Sequence, residues 1–203
     1  MFEIFPLFPN VVSANLLNVD LTDFKESLKK QNFLDLGKYD CQKSYASEDI
    51  TILDKNLTIK NLILDNFNSF KNNVLRLTTT SFKITTSWAT KTTTGGFSHL
   101  HFHKNSFYSA VLYLDDVDSG GNLCFENYGI KPDFFMLNDP AEWNVYNIEK
   151  FEIRPEKNLI VYFPSYLRHR ITEYKGKTDR YSVAVNFFPI GNFGYGDSSI
   201  ELS

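Results

Sequence analysis

Four histidines stand in the 203-residue chain, and three of them, His99, His101 and His103, occupy alternate positions in GGFSHLHFHKNSFYSAVLYL. The fourth, His169, lies far downstream in FPSYLRHRI. Side chains alternate across an extended strand, so the first three imidazoles point to one face. Two of them at i and i+2 stand roughly 7 Å apart at the backbone and can converge on one ion; three span roughly 13 Å, too far unless the strand bends. The spacing therefore predicts two ligands, His101 and His103, with a third from elsewhere, and His169 is the only histidine left to supply it. Imidazoles completed by a carboxylate or water suit Fe, Zn, Cu or Ni. The plain alternative is a set of polar residues on a solvated strand face. His99 is expected to be a surface residue or to support a ligand without being one.

These side chains need a sheet-rich scaffold, and the composition suits one: 19 Phe and 11 Tyr, 42% hydrophobic and 22% charged residues. The length is that of one large domain with room for a core. A net charge of −3 without a basic stripe gives no support for a nucleic-acid partner. No long apolar run and no leader at Met1 suggest a membrane or secreted protein. Cys41 and Cys124 alone make no disulfide framework, so both are expected reduced, in the cytoplasm.

Pro6 and Pro9 keep the N-terminal segment extended, which predicts a short edge strand and a turn. Thr22-Asp23 is expected to cap a helix to about Lys30, with Phe24 and Leu28 on one face. Residues 32–56 show no sustained period and read as loop. Ile59, Leu62, Ile63, Phe67, Phe70, Val74 and Leu77 recur at three- and four-residue steps, predicting a helix over 58–76 that buttresses a sheet. From Thr78 the pattern turns to strands: 78–94, half-buried; 106–114; then a DDVDSGG turn and a return strand, 122–126, as a hairpin. Residues 127–148, with Pro132, Pro140 and Trp143, read as a loop over a site. Strands are expected at 151–155, 159–163, 168–174 and 181–188. Helices first and strands after predict a mainly β protein, a double-stranded β-helix (jelly roll) buttressed by N-terminal helices, in a single domain 1–203 with helical support over 1–77 and the core over 78–190.

HFHKNS, FPSYLRH and DRYSVAVNF, in that order with NSFYSAVLYL and SGGNLCFEN between, resemble the 2-oxoglutarate/Fe(II) oxygenases of phages and marine bacteria, distant relatives of the prolyl hydroxylases. The resemblance covers about residues 85–188. It implies a jelly roll holding Fe(II), with 2-oxoglutarate as co-substrate, His101 as first ligand and His169 as last. The family places a basic residue a short way beyond the distal histidine, and Arg180 stands 11 positions after His169. A guanidinium fork gives a carboxylate two parallel charge-assisted bonds. Ser182 completes an Arg-x-Ser pair, and Tyr113 stands where prolyl hydroxylases direct a tyrosine hydroxyl at the same carboxylate, although it equally suits plain core. The implied function is hydroxylation of a small-molecule or peptide substrate with release of succinate and CO2, in a host cytoplasm if the gene is a phage's.

The chain departs from the common triad at His103, where the family usually has a carboxylate, and at Lys104, where it usually has proline. Three neutral imidazoles leave the ion's charge of about +2 uncompensated, which strengthens attraction for a dianion. Asp115 or Glu126 swinging in is the alternative acid. Two other function classes compete. A cupin-type metalloenzyme has Gly95 six positions before His101 in its favour, but Phe107 and Tyr108 stand where its glutamate belongs. A non-enzymatic jelly-roll binding module would use Trp88 and Trp143 as exposed platforms.

Overall fold

The computed structural model describes residues 3–5, 9–39, 41–127 and 141–203. In chain order the elements are β1 (Ser13–Leu16), α1 (Thr22–Leu28), β2 (Phe33–Asp35), β3 (Gln42–Ser47), α2 (Leu57–Asn73), β4 (Ser81–Phe97), β5 (Tyr108–Tyr113), β6 (Leu123–Glu126), β7 (Lys150–Ile153), β8 (Leu159–Pro164), β9 (His169–Ile171), β10 (Arg180–Phe193) and β11 (Ile200–Leu202). An antiparallel large sheet runs β1-β8-β5-β10-β4-β3-β2, with β11 on the far end of β10, and a small antiparallel sheet runs β7-β6-β9. Together they form the expected jelly roll.

Period-two alternation gives the large sheet two chemically different faces. Tyr181, Val183, Val185 and Phe187 of β10 join Ala110 and Leu112 of β5 and Ile160 and Tyr162 of β8 in one buried cluster, which also takes in Phe24 and Leu28 of α1 and Ile63, Phe67 and Phe70 of α2. Phe67 lies at the heart of this cluster, its ring 4.3 Å from Phe187, 5.3 Å from Phe82 and 5.4 Å from Tyr162. The alternate residues face the small sheet: Tyr113, Val161 and Phe163 pack with Leu123 and Phe125. Arg180, Ser182, Ala184 and Asn186 of β10 line a cavity there.

Several expectations need correction. The strand at β6 is not the return arm of a hairpin with β5. β5 is buried on both faces and takes β8 and β10 as its two neighbours, so β6 joins the small sheet instead. Gly120 and Gly121, at φ of 67° and 66°, turn the chain between the sheets. Residues 32–56 are not a loop: they contain β2, β3 and a 3₁₀ turn at Ile52–Lys55, pieces too short to display a period. The first 77 residues thus supply three strands of the large sheet as well as helices. Thr22 does not cap α1: Leu21 stands at the N-cap without a side-chain cap, and Asp20, one residue earlier, accepts at Oδ1 from Thr22 N at 3.0 Å and Thr22 Oγ1 at 2.6 Å. Of the expected loop over the site, 128–140 fall outside the described residues, as does Pro6; Trp143, at 51% exposure, follows in a turn region.

Candidate active site

β4 ends at Phe97, so His101 and His103 do not sit on a regular strand as their alternation suggested. They lie on an extended segment that leaves the large sheet and runs beside β9. His101 and His169 exchange both backbone hydrogen bonds, each at 2.9 Å. Further along, His103 N donates to Ser165 O at 2.9 Å. This crossing brings the three imidazoles together: one nitrogen of each lies within 4.8 Å of the others, and ring centroids are 4.4 to 5.4 Å apart.

Each ring is oriented through Nδ1. His101 Nδ1 meets His99 O, His169 Nδ1 meets Leu167 O and His103 Nδ1 meets Asn186 Oδ1, all at 2.8 Å. Carbonyl acceptors require a proton on Nδ1, so Nε2 carries the lone pair a metal needs. Asn186 is itself held, its Nδ2 donating to Thr86 Oγ1 at 3.0 Å and its Oδ1 accepting from Ser109 Oγ at 2.8 Å. Burial lowers the pKa of His101 and His103, and takes His169 down to about 3. The rings are therefore neutral near pH 7, as ligands must be.

Neither acid considered as a third ligand is available. Asp115 pairs with Lys25 and accepts from Tyr181 N at 2.7 Å, and Glu126 pairs with Arg170 Nε at 2.6 Å. His99 contributes its backbone carbonyl to His101 and stands outside the cluster.

The imidazoles open into a cavity of about 1000 Å³ between the sheets. Arg180 also lines it, 2% exposed, its guanidinium carbon 5.6 and 5.4 Å from the ring centroids of Tyr113 and Tyr174. Nη1 donates to Gly121 O at 2.5 Å and Nη2 to Thr92 Oγ1 at 3.4 Å. Arg180 Nε and the Tyr113 hydroxyl are buried without a hydrogen-bond partner. Burial raises the Tyr113 pKa to about 12, so the phenol keeps its proton to donate. Ser182 Oγ lies 2.6 Å from Thr90 Oγ1. Trp88, expected as an exposed platform, instead lines the cavity with its ring 5.7 Å from that of His103.

Sequence reasoning missed Asn186, Ser109 and Thr92. Asn186 was within reach: counting by twos from Arg180 gives Ser182, Ala184 and Asn186 on one strand face. Thr92 and Ser109 are registered opposite Arg180 and Asn186, pairings that only the assembled sheet reveals.

Residues 86–186, about half the chain, match the family described as "Putative 2OG-Fe(II) oxygenase". The chain belongs to the 2-oxoglutarate/Fe(II) oxygenases. It is thus an Fe(II)- and 2-oxoglutarate-dependent dioxygenase, which decides against the cupin and binding-module alternatives. No curated protein matches the chain in sequence. Among solved structures, a 2OG-Fe(II) oxygenase-family oxidoreductase from Burkholderia pseudomallei superposes with a TM-score of 0.58 at 14% identity, covering 82% of this chain and 76% of that one. HygX from Streptomyces hygroscopicus, with nickel and 2-oxoglutarate bound, gives 0.59 at 12% identity, covering 87% and 82%. A Pseudomonas putida prolyl-4-hydroxylase gives 0.55 at 16% identity, covering 87% and 91%. At these identities the likeness is one of fold. No helix among the described residues is long and apolar enough to cross a membrane.

Proposed function

We propose that this oxygenase, acting as one domain over 1–203, hydroxylates a small-molecule or peptide substrate in the cytoplasm, with release of succinate and CO2. His101, His103 and His169 hold Fe(II) through Nε2, and Arg180 with Tyr113 holds the far carboxylate of 2-oxoglutarate. The observation that carries this reading is that three converging imidazoles share one cavity with the buried Arg180 guanidinium, which lies 5.6 Å from the Tyr113 ring, and that Arg180 Nε–H and the Tyr113 O–H have no partner. Orphaned buried donors are costly, and a carboxylate satisfies both. Two neighbouring structures were solved with ligands of this chemistry, HygX with nickel and 2-oxoglutarate and the Chlorella-virus collagen prolyl hydroxylase with 2-oxoglutarate.

Fe(II) and 2-oxoglutarate, when bound, supply the activation of O2 that oxidises a C–H bond. The chain's own part is binding and orientation. Carbonyl and amide oxygens fix the Nδ1 protons, so that three lone pairs face one point. Arg180 remains protonated despite the lowering effect of burial, and its fork fixes the co-substrate's distance from the imidazoles. Leu123, Val111 and Ile171 give the cavity apolar wall, which excludes water from that charge pair. Ser182, its Oγ 2.6 Å from Thr90 Oγ1, lines the same cavity as Arg180 and is the second member of the Arg-x-Ser pair.

The test is anaerobic loading with Fe(II), addition of 2-oxoglutarate and O2, and measurement of succinate against a panel of substrates. Arg180→Ala should bind metal as the parent does while losing about 30- to 4000-fold in 2-oxoglutarate affinity, the range for breaking a buried charge pair. A variant that holds the keto acid as tightly as the parent overturns the assignment of Arg180.

A further inference from the structure

We propose that Tyr174, locked in a cage of glycines, is a positioning residue that pre-sets the Arg180 guanidinium for the co-substrate's far carboxylate; this rests on the role given to Arg180 above. Tyr174 is 2% exposed, and its ring lies 5.4 Å from the Arg180 guanidinium carbon. Five glycines surround it. Gly95 N donates to Tyr174 O at 2.7 Å, and Tyr174 N donates to Gly96 O at 2.8 Å. Gly120 is bridged to Tyr174 on the other side. A Cβ on Gly121 would stand 3.1 Å from Tyr174 Cδ2 and 2.5 Å from Arg180 Nη1, and one on Gly176 would collide with the Tyr174 hydroxyl. That hydroxyl donates to Thr178 O at 2.8 Å, tying down the turn that leads directly into Arg180.

Gly96 and Gly120, which approach Tyr174 through their backbones, are held to glycine by other neighbours, Lys43 O and Glu173 O. Gly121 and Gly176 let two backbone segments close on the tyrosine, where a side chain would crowd its ring or hydroxyl. The result for Arg180 is a restricted guanidinium. The rings of Tyr113 and Tyr174 lie 5.6 and 5.4 Å from its central carbon, attracted to the cation by their π-systems. Gly121 O takes Nη1, and Nε is left unsatisfied. A fork fixed before its ligand arrives loses little rotamer freedom on binding, and that saving appears as affinity.

The experiment compares Tyr174→Leu, Tyr174→Phe and Arg180→Ala by the affinity of the Mn(II)-loaded proteins for 2-oxoglutarate, with Mn(II) affinity and pyruvate binding as controls. Pyruvate has the keto-acid end but no far carboxylate. Tyr174→Leu should weaken 2-oxoglutarate about tenfold or more and leave Mn(II) and pyruvate unchanged, while Tyr174→Phe, which keeps the ring over the guanidinium, stays within about threefold of the parent. A Tyr174→Leu protein that binds 2-oxoglutarate like the parent while Arg180→Ala does not overturns the positioning role. Equal loss of pyruvate and Mn(II) in Tyr174→Leu also overturns it, in favour of general structural support. If Arg180→Ala itself keeps 2-oxoglutarate, the failure belongs to the underlying assignment. A second measurement needs no variant: in the metal-free parent, the Arg180 Nη1 and Nη2 protons should give separate NMR signals before any keto acid is added. A single averaged signal shows a freely rotating fork and sinks the proposal.

Discussion

At the residue scale the most consequential choice in this chain is histidine at 103. Asn186 and Ser109 approach its Nδ1 at 2.8 and 3.3 Å, so the ring is built into the sheet as a ligand would be. His103→Ala should therefore cut metal affinity strongly, and His99→Ala by little. His103→Asp should keep Fe(II) binding with the site's charge lowered by one. Full metal occupancy in His103→Ala, measured by elemental analysis after dialysis, would return the third position to a carboxylate or water. Removing the group behind the ligand has a smaller cost: Asn186→Ala frees the His103 ring and should reduce metal affinity about 10- to 100-fold. Competition with a chelator of known affinity reads that change. Tyr113→Phe deletes one donor to the keto acid, and a 2-oxoglutarate affinity lowered by about 0.5–1.5 kcal/mol is expected from titration of the metal-loaded protein.

At the scale of elements, what could be read depended on the length of the pattern. α2 carries five of the seven apolar positions read at helical steps, Val74 and Leu77 falling just past its end at Asn73, and the helix stands within a few residues of where they put it. β8 and β10 likewise follow from apolar runs. β2 and β3 did not, because 3 and 6 residues are too few to show a period, and β3's register shifts between Gln42 and Ser44. The pairing of β6 was illegible for another reason. A turn composition states that the chain reverses, not which sheet receives it, and only the pairing of β5 with β8 on one edge and β10 on the other denies β6 a place there. The three-histidine site was legible because alternation and scarcity left few candidates, but the crossing segment that gathers it was not. A helix that packs on a sheet through one aromatic centre is vulnerable at that centre. Phe67→Ala should cost about 3–5 kcal/mol, seen as a lower denaturant midpoint at unchanged slope.

For the whole molecule, the metal-free protein should lose stability in mild acid. His101, His103 and His169 have folded-state pKa values below the ordinary 6.5, His169 at about 3. Between those values and 6.5 the unfolded chain binds more protons than the folded one, so stability is fully present above 6.5 and declines as the pH falls towards the folded values. Thermal melts of the metal-free protein from pH 7.5 down to 4.5 should show a falling midpoint. A midpoint that does not move across that range contradicts neutral, buried imidazoles.

The paired backbones of His101 and His169 have one more consequence, for the order in which the protein matures. Positions 68 apart in the chain become ligands of the same ion only after the segment beyond β4 has docked on β9. A nascent or loosened chain has no such site to offer, so the cell's iron supply acts on the equilibrium between the two forms. An ion held only by the docked state, at a free concentration 100 times its dissociation constant, adds about 2.7 kcal/mol to that state. Iron starvation would then do more than idle this enzyme. It would leave a population of molecules nearer to opening, and the quantity of enzyme surviving proteolysis would follow the metal.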